Sequence, residues 1–229
     1  MPSPPLDQDA PRWGLGDAVV AYAMSFVASI LVFSLAKDIE DPTYYEQLAA
    51  TIPLWIFTIG FPLWATRAKG NGPVRDLGLA IRPADVPLGL AVGVAAQLAI
   101  PLLYELFPQD VQDRVGDEAQ KLADSVDASG GTLVTVVFVV TTVFVAPFAE
   151  ELFYRGLVMR SIERRTGLWV AVGITTVVFA LIHFQALQTL GLLLAGAVFG
   201  VLAAATGRLG PAMVAHMAFN GLAVWQLLS

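Results

Sequence analysis

Apolar residues run along this chain in long blocks, not in the short alternations of strands. Seven windows come close to the roughly 20 mostly apolar residues that a helix needs to cross a hydrocarbon core. They are 17–36, 48–65, 86–106, 133–155, 168–184, 187–205 and 209–228. Backbone groups cannot stay open in lipid, and the runs lack barrel-type alternation, so the pattern predicts helices. Pro53 and Pro62 fall inside the second window and predict a kink or a shortened helix there. The longest connection, 109–131, is polar and predicts an amphipathic helix outside the bilayer, a solvated lid. Gly89/Gly93 and Gly196/Gly200 are G-x-x-x-G pairs, which suit close helix approach. The expected fold is all-α, a single polytopic transmembrane helical bundle of about seven spans. Residues 1–131 would supply N-terminal helices and an acidic connection outside the cell, and 132–229 the part that carries the chemistry.

Composition narrows the class further. The chain has 229 residues, 56% hydrophobic and only 14% charged, against about 25% charged in a soluble domain, and its mean hydropathy is +0.68. Cysteine is absent, which excludes disulfides and thiolate chemistry. The net charge of −6, with no basic cluster, argues against a nucleic-acid partner. Residues 1–13 are polar and Pro-rich without a basic n-region and cleavage site, so the first window is expected to remain as an anchor. If the windows alternate across the membrane, Arg12, Arg67, Lys69, Arg75, Arg82, Arg155, Arg160, Arg164, Arg165 and Arg208 all fall on one side. The other side keeps Lys37, Arg114 and Lys121 among the acids Asp38, Glu40, Asp41 and Glu46, then Asp110, Asp113, Asp117, Glu118, Asp124 and Asp127. Positive residues stay inside, so the reading is a cytoplasmic N-terminus and an outside C-terminus in the cell membrane.

Ionisable groups in a span cost of order 2.5–3.5 kcal/mol each at a helix centre, so those present pair or work. Glu150 and Glu151 are neighbours, about 100° apart on a helix, and face different ways. Glu151 and Arg155 stand at i and i+4 in the favourable order for an ion pair, and Arg155 can also lean towards the cytoplasmic interface. Glu150 is left without a sequence-local cation, the condition for a general base poised by desolvation. Pro147 cannot donate to the carbonyl of Val143, which predicts a kink, room for a site and a free backbone acceptor there. The two histidines of the chain, His183 and His216, both lie in apolar windows. Phe179 is one turn before His183 and predicts an aromatic wall beside it. His216 and Asn220 share a face, which suits donation to an oxyanion and, for the imidazole, metal ligation. At 1.5 Å per residue Glu150 lies about 15 Å below the level of Arg160, His216 about 12 Å and Asn220 about 18 Å from Arg208, and His183 about 22 Å from Leu168. All four can therefore meet mid-bilayer.

Three motifs now stand in order: E-E-x-x-x-R at 150–155, F-x-x-x-H at 179–183 and H-x-x-x-N at 216–220. With them the C-terminal half, 132–228, resembles the CPBP family of intramembrane proteases, also called the CAAX protease and bacteriocin-processing (Abi) family. The segment Asp76-Leu77-Gly78-Leu79 also looks like the approach to that family's core. The resemblance implies a CAAX-protease-like helical core with a site open to the cytoplasmic side. Carried over by motif, Glu150 and His183 activate the attacking water, His216 and Asn220 stabilise the oxyanion, and Glu151 and Arg155 support the site. Metal-dependent and glutamate-dependent chemistries are both attached to the family. Glu150, His183 and His216 could form a three-ligand zinc site, and the carboxamide beside His216 suits a metal-free oxyanion hole. The expected activity is hydrolysis of a peptide bond in a membrane-associated peptide or protein. The alternatives are a non-enzymatic scaffold or bacteriocin-immunity protein, and a proton-coupled transporter; the last lacks the two related halves usual for that class.

Overall fold

A computed structural model of the chain describes residues 11–35, 43–128 and 130–229. Every regular element among them is helical: α1 (Leu15–Phe33), α2 (Tyr44–Lys69), α3 (Pro73–Leu77), α4 (Asp85–Tyr104) and α5 (Gln109–Ala128) come first. A continuous helical rod over Thr132–Thr166 follows. Two π-helical stretches, Thr141–Val145 and Glu151–Val158, divide the rod into α6 (Thr132–Val140), α7 (Ala146–Glu150) and α8 (Met159–Thr166). The chain closes with α9 (Leu168–Leu181), α10 (Thr189–Thr206) and α11 (Gly210–Leu228).

All seven apolar windows fall on helices. Five helices are long and apolar enough to cross a membrane: α1, α2, α4, the rod and α10. The other two windows differ from expectation. Helix α9 has 14 residues, about 21 Å at 1.5 Å per residue, and stops before the end of its window. Beyond it Phe184 takes a left-handed φ of 54°, so His183 sits in the turn after the helix. Helix α11 is 19 residues long but carries His216, Asn220 and Gln226.

The second window is neither broken nor shortened by its prolines. Helix α2 runs 26 residues through both Pro53 and Pro62. It begins earlier than expected because Thr43 and Glu46 form a capping box: the Thr43 N–H donates to Glu46 Oε2 at 3.0 Å and the Glu46 N–H to Thr43 Oγ1 at 3.4 Å. Glu46 therefore belongs to the first turn of α2, not to the acidic connection. Lys37, Asp38, Glu40 and Asp41 of that connection, and the Pro-rich residues 1–10, lie outside the described residues. The expected polar helix over 109–131 is present as α5.

The helices pack in pairs, α1 along α2, α4 along α11, and α9 along α10. A Cβ at Gly93 would run into the backbone of Ala215, and one at Gly89 into Val214. Helices α4 and α11 thus touch nearly backbone to backbone, as a small-residue seam in lipid requires. One core joins Ala18 and Ala65 to Leu152, Leu157, Phe179, Phe199 and Met213. Large apolar side chains such as Val27, Ile56, Leu98, Phe144, Val177 and Trp225 point outward, which suits a surface solvated by acyl chains.

Polar contacts gather at one end of the bundle. The Asp76 carboxylate accepts from Trp13 Nε1 at 2.7 Å and from the Asn71 N–H at 2.8 Å. The Arg164 guanidinium lies 3.9 Å over the Trp13 ring and donates to the Trp13 carbonyl. Arg160 donates to the Gly207 carbonyl, and Arg208 pairs with Asp85 and Lys69 with Asp17. The Leu209 N–H reaches the Gly78 carbonyl at 2.8 Å. Segment 76–79 is the hub that ties the chain before α1 to the far ends of α8 and α10. Gly93→Val should lower the resistance of the folded chain to denaturant by about 1–3 kcal/mol through overpacking of the α4–α11 seam, read as an earlier midpoint in a sodium dodecyl sulfate titration.

Candidate active site

The site begins with a fault in the rod. Pro147 has no N–H, so the turn before it cannot close in the ordinary helical register. The chain widens to a π turn, in which the Ala146 N–H donates to Thr141 O, five residues back. In that register the carbonyl of Thr142 faces the nitrogen of Pro147 and would be orphaned. The Asn220 side chain takes its place, Nδ2 donating to Thr142 O at 2.9 Å. The free acceptor that the proline implied is therefore at Thr142, one residue before the expected Val143, and α11 already fills it.

The second π stretch carries the charges. Arg155 Nη1 donates to Glu151 Oε1 at 2.9 Å, both side chains fully buried, so the expected i, i+4 pair is present. Arg155 does not lean towards the interface. Its Nη2 donates to the Gly196 carbonyl at 3.0 Å, and its guanidinium lies 4.5 Å from the Phe179 ring centroid and 5.6 Å from that of Phe199. A planar cation with two ring faces and two fixed acceptors is satisfied in place, and stretching towards water would undo all four contacts.

Glu151 holds more than Arg155. Its Oε1 also accepts from His216 Nδ1 at 2.9 Å, while its Oε2 is buried without a partner among the described residues. A carboxylate only accepts, so His216 Nδ1 carries a proton. On the far side of that ring, Nε2 lies 3.8 Å from Glu150 Oε2. Two consecutive glutamates thus face one imidazole from opposite edges. They differ in access: the Glu151 side chain is 0% exposed and that of Glu150 24%. Glu150 opens into a cavity of about 200 Å³ lined by Tyr22, Leu54, Trp55, Thr58, Tyr154, Ile182 and His183.

Both imidazoles are held by rings. Phe199 stacks on His216 with centroids 4.5 Å apart, and Phe179 stands edge-on at 6.0 Å. Phe179 also forms the wall expected beside His183, at 4.8 Å. His183 Nδ1 lies 2.6 Å from the Phe179 carbonyl. A carbonyl can only accept, so this nitrogen carries the proton and Nε2 is left as an acceptor.

The structure thus links Glu150, Glu151, Arg155, Phe179, His183 and His216 in one cluster, and fixes Asn220 on the rod beside it. Several partners lay beyond sequence reasoning: Phe199, the carbonyls of Gly196 and Thr142, and the cavity walls from α1 and α2. The expected zinc set does not gather in the same way. Among the described residues no three His, Cys, Asp or Glu side chains stand close enough together to hold an ion.

A family model described as type II CAAX prenyl endopeptidase Rce1-like matches residues 132–222. No curated protein and no solved structure matches the chain. The matched segment is less than half of the chain, yet it contains all seven residues of the three motifs. Over that segment the chain is similar to the Rce1-like endopeptidases, consistent with the CPBP family that the motifs resemble. With five membrane-length apolar helices, the chain is an integral membrane protein with a segment similar to the type II CAAX prenyl endopeptidases.

Arg155→Met should destabilise the fold by about 3–5 kcal/mol, because it strands a buried carboxylate. Adding Glu151→Gln should restore much of that loss, and unfolding midpoints of the two variants against wild type measure both steps.

Proposed function

We propose that this protein is an intramembrane endopeptidase in which Glu150 activates a water molecule to hydrolyse a peptide bond of a membrane-associated substrate. The observation that carries this reading is the inequality of the two glutamates around His216: Glu151 is sealed in the interior, Glu150 opens to a cavity shared with His183. With His216 protonated, Glu150, Glu151, Arg155 and His216 sum to zero charge, so the group can be buried without an uncompensated ion.

In the mechanism, water lies between Glu150 and His183 Nε2. Glu150 takes a proton as the water oxygen bonds the carbonyl carbon and the carbonyl pair moves to oxygen. The resulting oxyanion is met by His216 Nε2–H and by the second amide hydrogen of Asn220, whose first hydrogen Thr142 holds. The tetrahedral adduct collapses, the C–N bond breaks, and Glu150 returns its proton to the leaving amine. Glu151 and Arg155 keep His216 oriented. Since the side chains considered for zinc are not gathered into a ligand set, no step is routed through a metal.

Orientation belongs to the same proposal. The cations of the Arg164, Arg160, Lys69 and Arg208 knot mark one end of the bundle, and by the positive-inside tendency that end and the N-terminus are cytoplasmic. Single cysteines at Arg75 and Arg164 in this cysteine-free chain should label with an impermeant maleimide only from the cytoplasmic side; labelling from outside reverses the topology.

The activity is tested by comparing membrane-protein N-termini in cells making wild type or Glu150→Gln at matched levels. Glu150→Gln keeps size and hydrogen bonding, and loss of a general base costs about 10²–10⁴-fold in rate, so termini seen with wild type should vanish. Equal termini in both would remove Glu150 from the chemistry.

A further inference from the structure

The cavity beside Glu150 contains a group that the mechanism above leaves idle. Tyr154 follows Glu150 by four residues, which puts the two side chains on one face of the rod, and both line the cavity with His183. The Tyr154 ring is fixed edge-on against Phe153 at 5.2 Å and against Phe179 at 5.4 Å. The residue is only 5% exposed. Its ring contacts are all with apolar rings, so phenylalanine would pack there equally well. The hydroxyl of a tyrosine whose ring is buried among apolar rings normally finds a hydrogen-bond partner. Among the described residues nothing bonds this one, and it borders the cavity.

The rest of the lining says what kind of partner is missing. Tyr22 and Trp55, whose side chains carry an O–H and an N–H, also line the cavity, and Thr58 gives its own hydroxyl proton to the Leu54 carbonyl at 2.6 Å. Among the described residues no lysine or arginine lines it. Donors without a fixed cation, set beside a carboxylate, suit a neutral acceptor such as an amide carbonyl. They suit a free carboxylate or a phosphate poorly, because Glu150 would repel either one.

We propose that Tyr154 is a further catalytic residue, its hydroxyl donating a hydrogen bond to the carbonyl oxygen of the scissile peptide bond, and that the cavity takes an internal, uncharged stretch of peptide. The inference rests on the endopeptidase reading of this same site. As water adds to the carbonyl carbon and Glu150 takes its proton, negative charge grows on the carbonyl oxygen and the Tyr154 bond shortens. Tyr154 keeps its proton throughout; the proton delivered to the leaving amine is the one held by Glu150. The phenol is a third donor, offered from the cavity that Glu150 and His183 also line.

The test uses the full chain in detergent, incubated with solubilised membrane proteins from cells that lack it. Initial rates of Glu150-dependent cleavage are followed at several substrate concentrations for wild type, Glu150→Gln and Tyr154→Phe. Loss of one oxyanion donor should lower kcat for Tyr154→Phe by about 100-fold with KM changed less than about threefold. A peptide phosphinate, which mimics the tetrahedral adduct, should lose affinity for Tyr154→Phe by a similar factor, while the parent peptide should not. Tyr154→Phe within about threefold of wild type in kcat, or weakened only in KM, overturns the proposal while the endopeptidase reading stands. Equal phosphinate affinity in wild type and Tyr154→Phe overturns it whatever the rates show, and this guards against a variant slowed by misfolding. Wild type and Glu150→Gln that cleave alike overturn the endopeptidase reading, and this inference with it.

Discussion

The Arg155 guanidinium is the charge around which this structure is organised. It is buried in the middle of a lipid-embedded bundle, where an unpaired cation is prohibitively costly. Its obligations reach three helices. Glu151 answers from one turn earlier in the rod, the Gly196 carbonyl from α10, Phe179 from α9 and Phe199 from α10. Glu151 in turn binds His216 on α11. A single ion thereby specifies the relative placement of four helices, in a solvent where apolar contacts alone give little preference for one helix pairing over another. The tight α9–α10 contact at Gly196 lets the backbone carbonyl there approach the guanidinium.

The two π stretches solve a geometric problem. Consecutive glutamates on an ordinary helix point about 100° apart, and here they must address opposite edges of the same imidazole. Widened turns on both sides of α7 re-aim the side chains that follow. Each π turn also leaves the main chain imperfectly paired, which in lipid must be repaired by a neighbour. At Thr142 the repair is Asn220. The local defect that makes room for a site thus also anchors one of its side chains, in keeping with the frequent association of π bulges with function.

Much of this was legible in the sequence, for a physical reason. Apolar run length reports the helices, and helical spacing reports which side chains share a face, so Glu151–Arg155, Phe179–His183 and His216–Asn220 could all be read locally. Spacing within one helix says nothing about which other helix lies opposite. The Glu151–His216 and Asn220–Thr142 bonds, and the cavity walls from Tyr22 and Trp55, are contacts between helices far apart in the chain and left no local trace. Two signals were present but read incompletely. Thr43-x-x-Glu46 is a capping box that marks the true start of α2. Pro147 announced a disrupted turn, yet whether the chain kinks or widens to a π turn depends on what packs beside it. The short α9 was overestimated for a similar reason: Ile182, His183 and Phe184 look apolar enough to continue a helix, and only the tertiary turn at Phe184 ends it.

The bond from Asn220 to Thr142 also bears on how the protein is made. The rod leaves the ribosome well before α11, so it enters the membrane with the Thr142 carbonyl unpaired and Glu151 lacking its imidazole. Both vacancies favour capture of α11 once it is synthesised. Until then the half-built molecule has Glu150 on the rod but neither His216 nor Asn220 beside it. In a chain assembled in this order, the arrangement proposed for catalysis is complete only once α11 has docked on the rod.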